Sequence, residues 1–205
     1  MIKNIVFDFG KVLADWDPTE ALKANGADEE KIRPLMKKLS QSGLWDESDR
    51  GTKSKEELLE MAIEIAPECE KEIRIYWECF SDTIVRYDYT EKLLRACRDA
   101  GYGVYVLSNF GDWTYRECEE KGAFDFLPLV DGSLFSYELK LIKPEREIYQ
   151  ALCERFSLVP EECVFLDDME RNIDGAIDFG MQGIVFTGIE DAMQELEKIG
   201  VSLSL

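Results

Sequence analysis

Residues 5–13 read IVFDFGKVL, with an aspartate at position 8 and a glycine at position 10. The leading apolar run does not alternate with polar residues, which is the pattern of a strand buried on both faces. An aspartate at the mouth of such a strand is well placed to be a carboxylate nucleophile. The commoner use of a lone aspartate there is to cap a turn or helix, so Asp8 needs support from elsewhere in the chain.

Working outward, similar runs recur at 104–107 (VYVL), 126–130 (FLPLV), 164–166 (VFL) and 183–186 (GIVF). Helical patterns fall between them at 90–100, 113–121, 145–156 and 170–179, with Gly101 and Gly180 as stops. Strand alternating with helix predicts an α/β fold with a parallel, doubly wound sheet. Residues 15–87 break this rhythm. They hold no convincing strand, and helical stretches are expected near 19–25, 28–41, 54–66 and 68–80, with Leu58, Leu59, Ala62, Ile63 and Ala66 at helical spacing. A crossover between parallel strands normally needs a single helix. The segment therefore reads as an inserted helical cap over 15–87, with the core formed by 1–14 and 88–205. The tail VSLSL, 201–205, reads as a short strand or a frayed end.

Composition narrows the function classes. The 205 residues carry 43 Asp and Glu against 24 Lys and Arg, a net charge of −19. That field disfavours nucleic acid and anionic membrane as partners, and a phosphate site would need concentrated local positive charge. The chain has no histidine, which excludes Ser-His-Asp and Cys-His nucleophile systems. Its six cysteines form no C-x-x-C pair and read as reduced, semi-buried thiols. No apolar run approaches a membrane span or a secretion signal, so a cytoplasmic protein is expected.

In an open parallel sheet, ligands bind beyond the carboxyl ends of the strands. Besides Asp8, three constellations fall there. Ser108 and Asn109 follow VYVL, where a hydroxyl and backbone N–H groups near a helix start can hold a phosphate, although a cap or turn is the blander use. Lys143 and Pro144 precede the 145–156 helix. A cation gains nothing from the dipole at that end, which favours a role in balancing anionic charge. Asp167 and Asp168 follow VFL and lead into a helix carrying Asn172. Two adjacent carboxylates repel unless a cation sits among them, and with Asp8 they make an oxygen-rich site suited to Mg²⁺.

Taken in order (Asp8, inserted helices, Ser108-Asn109, Lys143-Pro144, Asp167-Asp168), the set resembles the four motifs of the haloacid dehalogenase-like hydrolase superfamily. The resemblance spans essentially the whole chain. It is most similar to members with a helical cap after the first strand, including a bacterial glucose-1-phosphatase type. It implies a Rossmann-like core of strand order 5-4-1-2-3 and Mg²⁺-dependent phosphate-ester hydrolysis through an aspartyl-phosphate. It also implies roles: Asp8 as nucleophile and metal ligand, and Ser108, Asn109 and Lys143 as phosphate holders. Asp168 would be a direct metal ligand, with Asp167 a ligand directly or through water, and the Gly10 carbonyl would complete the set. The expected partner is a small phosphorylated metabolite, a sugar phosphate being favoured.

Gly10 departs from the usual pattern, in which a second aspartate there protonates the leaving group. Such general acid catalysis is typically worth about 10² to 10⁴ in rate. The expectation is therefore an ester with a good leaving group and activity falling steeply as leaving-group pKa rises. A cap carboxyl could instead supply the proton, Asp15 and Asp17 being nearest in sequence. Two alternatives stand beside the phosphatase: a metal-independent 2-haloacid dehalogenase, and a non-catalytic binder of a phosphorylated ligand. Trp16, Trp45 and Arg50 could meet substrate but read better as packing and ion-pair residues.

Overall fold

The computed structural model describes residues 1–204; the last residue of the predicted VSLSL tail lies outside the described residues. The core is a five-stranded sheet, every pairing parallel, of β1 (Asn4–Phe7), β4 (Gly103–Ser108), β5 (Gly132–Phe135), β6 (Cys163–Asp167) and β7 (Gln182–Val185), in the order β5-β4-β1-β6-β7. Numbered within the sheet alone, this is the expected 5-4-1-2-3 order. The sheet separates two apolar clusters, and the strand residues alternate between them. Ile5, Phe7, Val104, Val106, Val164 and Leu166 enter the larger cluster, whereas Val6, Leu107, Cys163 and Phe165 enter the smaller. Both faces are thus covered, which explains why these strands read as continuous apolar runs.

Helices α1 (Pro18–Ala24), α2 (Glu29–Gln41), α3 (Leu44–Arg50), α4 (Lys55–Ile65) and α5 (Glu70–Cys79) form the inserted cap. Ser54 and Glu57 close a capping box at the start of α4. The cap enters and leaves through a two-stranded antiparallel ribbon, β2 (Ala14–Trp16) and β3 (Ile84–Arg86), which the sequence reading missed. Three residues per strand are too few to show a period. After the ribbon come α6 (Thr90–Asp99), α7 (Asp112–Glu120), the single turn α8 (Ser136–Leu139), α9 (Arg146–Phe156), α10 (Glu170–Phe179) and α11 (Ile189–Lys198).

The strand predicted at 126–130 is corrected. Residues Leu127–Leu129 form a 3₁₀ turn, and the edge strand follows at Gly132–Phe135. Pro128 has no N–H to give a ladder, and its fixed φ suits a tight turn. The helix expected from 145 starts at Arg146 as α9, and the Lys143–Pro144 peptide before it is cis. Among the described residues no helix is long and apolar enough to cross a membrane. All six cysteines are free and buried.

Candidate active site

Asp8, Ser108, Asn109, Asp167 and Asp168 sit where strands end, whereas Lys143 lies in the segment between α8 and α9. The ladder of β1 runs one step beyond the strand, the Asp8 N–H donating to the Leu166 carbonyl at 2.8 Å. Phe9 is fully buried, its ring centroid 4.8 Å from that of Phe124 and 5.7 Å from that of Phe110, and its carbonyl takes the N–H groups of Leu13 and Ala14. The turn carrying Asp8 and Gly10 is thereby fixed from below.

Lys143 organises the site. It is 1% exposed, and its Nζ donates to Asp167 Oδ2 at 2.6 Å and to the Leu107 carbonyl at 3.0 Å. The same ammonium lies 2.8 Å from Asp8 Oδ1, as an ion pair without hydrogen-bond alignment, so that oxygen keeps unused acceptor capacity. The backbone of Lys143 is clamped by Asn109: its N–H donates to Asn109 Oδ1 at 2.7 Å, and Asn109 Nδ2 donates to its carbonyl at 3.1 Å. The Asn109 side chain is therefore spent on positioning, and only its backbone N–H is left for a ligand.

Asp167 and Asp168 take different parts. Asp167 is fully buried and accepts from Lys143, from Asn172 Nδ2 at 3.0 Å on both oxygens, and from the Met169 N–H at 2.8 Å. No side chain among the described residues hydrogen-bonds the Asp168 carboxyl. Ligand atoms of Asp8, Asp167 and Asp168 all lie within 4.8 Å of one another, the spacing a single cation can bridge. Of these three, Asp8 and Asp168 are the members whose side-chain oxygens no described residue hydrogen-bonds, and an oxygen set of this kind fits Mg²⁺.

The electrostatics agree with an anion-and-cation site. Burial pushes the Asp8 carboxyl up to about 6; Lys143 opposes this and the Asp167 charge reinforces it. Burial also raises Asp168, again with help from Asp167. For Lys143 burial pulls downward, but Asp167 and Asp8 outweigh it and hold the ammonium above its ordinary range.

Above these groups lies a cavity of about 250 Å³ whose lining includes Asp8, Gly10, Lys11, Ser108, Asn109 and Asp168. Lys11 lines the cavity with its ammonium paired to Asp15, and Lys143 is buried between Asp8 and Asp167. The cap closes the cavity with Trp16, Trp45, Tyr76 and Asp49. The two tryptophans meet edge to face at 6.2 Å, so they line the cavity as part of an aromatic wall. Arg50 points elsewhere, forming a bidentate pair with Glu145 at 2.6 and 3.1 Å that ties α3 to the core. Asp15 and Asp17 are absent from the lining. Asp15 Oδ1 is held by Lys11 Nζ at 2.5 Å, and Asp17 caps α1.

Asp49 is the cavity carboxyl that the sequence reading did not single out. Its helix is short, acidic and aperiodic. The available signal was the pair of glycines that bracket it, Gly43 at φ 79° and Gly51 at φ 65°. Gly51 also packs closely, since a Cβ there would lie 2.8 Å from Tyr137 Cβ. The cap rests on Gly111 in the same way, where an added Cβ would come within 2.6 Å of the Ser48 carbonyl oxygen. Gly111→Ala is therefore expected to push α3 off the core, lowering stability by about 1 to 3 kcal/mol and weakening turnover. Thermal melting with kinetics checks this; an unchanged melting temperature would refute the tight seating.

A family profile described as haloacid dehalogenase-like hydrolase matches residues 2–180. D-ribitol-5-phosphate phosphatase of Bacteroides thetaiotaomicron is 29% identical, over 97% of this chain and 98% of its own. A crystal structure of a HAD family enzyme from the same species, in complex with magnesium and inorganic phosphate, superposes with a TM-score of 0.68. It is 27% identical, over 90% of this chain and 93% of that one. (S)-2-haloacid dehalogenase 4A of Burkholderia cepacia is 30% identical over 48% of this chain and 42% of its own.

Proposed function

Because this chain belongs to the haloacid dehalogenase-like hydrolases, we propose that it hydrolyses the phosphate ester of a small sugar or polyol, through covalent attack by Asp8. The observation that carries this reading is the buried Lys143 shared by Asp8 and Asp167, with the uncommitted Asp168 carboxyl beside them. Attack on the carbon of a haloacid calls for no metal, and an uncompensated extra carboxylate would repel the haloacid anion. A phosphate ester approached by a carboxylate needs a counter-charge.

Asp8, Asp168 and the Gly10 carbonyl would hold Mg²⁺, with Asp167 reaching it directly or through water. Bound there, Mg²⁺ offsets the repulsion between the nucleophile and the phosphate oxygens. The remaining steps belong to the protein. Lys143 and the donors of Ser108 and Asn109 hold the phosphoryl oxygens in line with Asp8. Asp8 Oδ bonds to phosphorus as the ester P–O bond breaks, and water then cleaves the aspartyl-phosphate. The aromatic wall of the cap shields the reacting centre from bulk water. The relative acting on D-ribitol 5-phosphate supports a polyol or sugar phosphate, a class found among cytoplasmic metabolites.

The test is a screen of sugar and polyol phosphates and of 2-haloacids, each with Mg²⁺ or with EDTA. Phosphate release is expected only with Mg²⁺, chelation lowering the rate by at least about 100-fold. Halide release in EDTA without phosphate release would overturn the reading. A phosphorylated ligand that raises the melting temperature without being turned over would move the protein to the binding class.

A further inference from the structure

The missing carboxyl at Gly10 leaves the departing alcohol without a proton donor on the core side. We propose that Asp49, carried by the cap, is the general acid that protonates the leaving oxygen.

The argument is one of placement and elimination. Asp49 lines the same cavity as Asp8, Gly10 and Asp168, but is carried by the cap helix α3. Its position is pinned through the backbone on three sides. Its own carbonyl accepts from Ser136 Oγ at 2.5 Å, the neighbouring Ser48 seats against Gly111, and Arg50 is locked to Glu145. Its carboxyl, by contrast, receives no hydrogen bond from any described residue. Every other ionisable group lining the cavity is engaged or unsuited. Asp8 is the nucleophile and Asp168 belongs to the cation. Lys11 is paired with Asp15, and burial raises the Tyr76 phenol far above its ordinary value. Burial likewise pushes Asp49 up to about 7, aided by the Asp46 and Asp8 charges and opposed by Lys143 and Arg171, the direction a general acid needs.

The step balances. As Asp8 bonds to phosphorus and the ester P–O bond breaks, the leaving oxygen keeps the electron pair and takes the Asp49 proton. The Asp49 carboxylate then takes a proton from the water that attacks the aspartyl-phosphate. Phosphate leaves, Asp8 is regenerated as a carboxylate and Asp49 as an acid. This replaces the expectation of steep leaving-group dependence: with its own acid, the wild type should show a shallow one.

The proposal rests on the phosphatase reading, and its test separates the two. kcat/KM is measured with Mg²⁺ for p-nitrophenyl phosphate and for a series of alkyl phosphates, in wild type and Asp49→Asn, with melting temperatures as a fold check. Asp49→Asn is expected to lose about 10² to 10⁴ on alkyl esters and less than about 10-fold on the aryl ester, whose leaving group needs no proton. The slope against leaving-group pKa should steepen accordingly. An equal loss on both ester classes, or no loss, overturns the role of Asp49. No wild-type activity on any ester overturns the phosphatase reading itself. Rescue gives a second measurement. A Cβ at Gly10 meets nothing within 4 Å, so Gly10→Asp should fit. Added to Asp49→Asn, it is expected to return at least about tenfold of the alkyl activity. A packing fault in α3 would not be repaired from the β1 side, so absence of recovery counts against the proposal.

Discussion

Lys143→Met should lower folding stability by about 3 to 5 kcal/mol and abolish turnover, with the protein still able to fold at reduced temperature. The lysine is 1% exposed and faces two carboxylates, 2.8 and 2.6 Å away. Methionine fills a similar volume but leaves Asp8 and Asp167 as uncompensated buried charges. The structure limits the damage by protonating one of them, which is why the loss stays within a few kcal/mol. Asp167 still has Asn172 and the Met169 N–H, so Asp8 is the group that takes the proton. A protonated Asp8 cannot attack phosphorus, and both effects have one cause. Urea unfolding with a phosphate-release assay checks them; a Lys143→Met protein as stable as wild type would show that the ion pairs are incidental.

Asp8→Asn should separate activity from stability. Removing the nucleophile is expected to lower phosphate release by at least about 10⁴-fold. Without Mg²⁺, the same substitution should stabilise the fold. Asp8 sits at about 6 against an ordinary 3.8, because burial disfavours its charge more than Lys143 favours it. A carboxyl raised in the folded state contributes stability that is complete below about pH 4 and is lost as pH rises through 6. Asparagine suffers no such loss, and Lys143 keeps Asp167 as its partner. In EDTA at pH 7.5 the variant should exceed wild type by about 1 to 3 kcal/mol, read as a melting temperature several degrees higher. At pH 4 the two should converge, and Mg²⁺ should raise wild type alone. A variant that melts below wild type in EDTA at pH 7.5 would remove the argument.

What the sequence disclosed was governed by distance along the chain. The sheet was legible because its strands are covered on both faces and each reads as an apolar run on its own. Asp8, Ser108 and Asp167-Asp168 were legible because each follows such a run, and a parallel sheet gathers the ends of its strands; Lys143 follows no strand and was singled out by its place before a helix start. Asn109 was legible as a position, but not the part its side chain takes in holding the Lys143 backbone, a contact 34 positions away. Asp49 was hidden because nothing local marks it. It reaches the cavity only when α3 docks on Gly111, Ser136 and Glu145, contacts that span 63 to 95 positions of sequence. The β2–β3 ribbon was hidden for the same reason, as Trp16 pairs with Ile84 across the whole cap. The strand misplaced onto 126–130 shows the reverse error: local apolarity was read as pairing, although Pro128 cannot supply the ladder.

The six buried, unpaired thiols turn the molecule into its own recorder of opening. Cys69 and Cys79 belong to the cap, whereas Cys97, Cys118, Cys153 and Cys163 lie in the core, and none exceeds 7% exposure. A thiol reagent can reach any of them only through a fluctuation. Labelling of the cap pair ahead of the core four would register the cap loosening by itself; simultaneous labelling would register the whole fold giving way. Assembly and disassembly of the catalytic chamber can thus be timed in the unmodified chain, with no probe introduced.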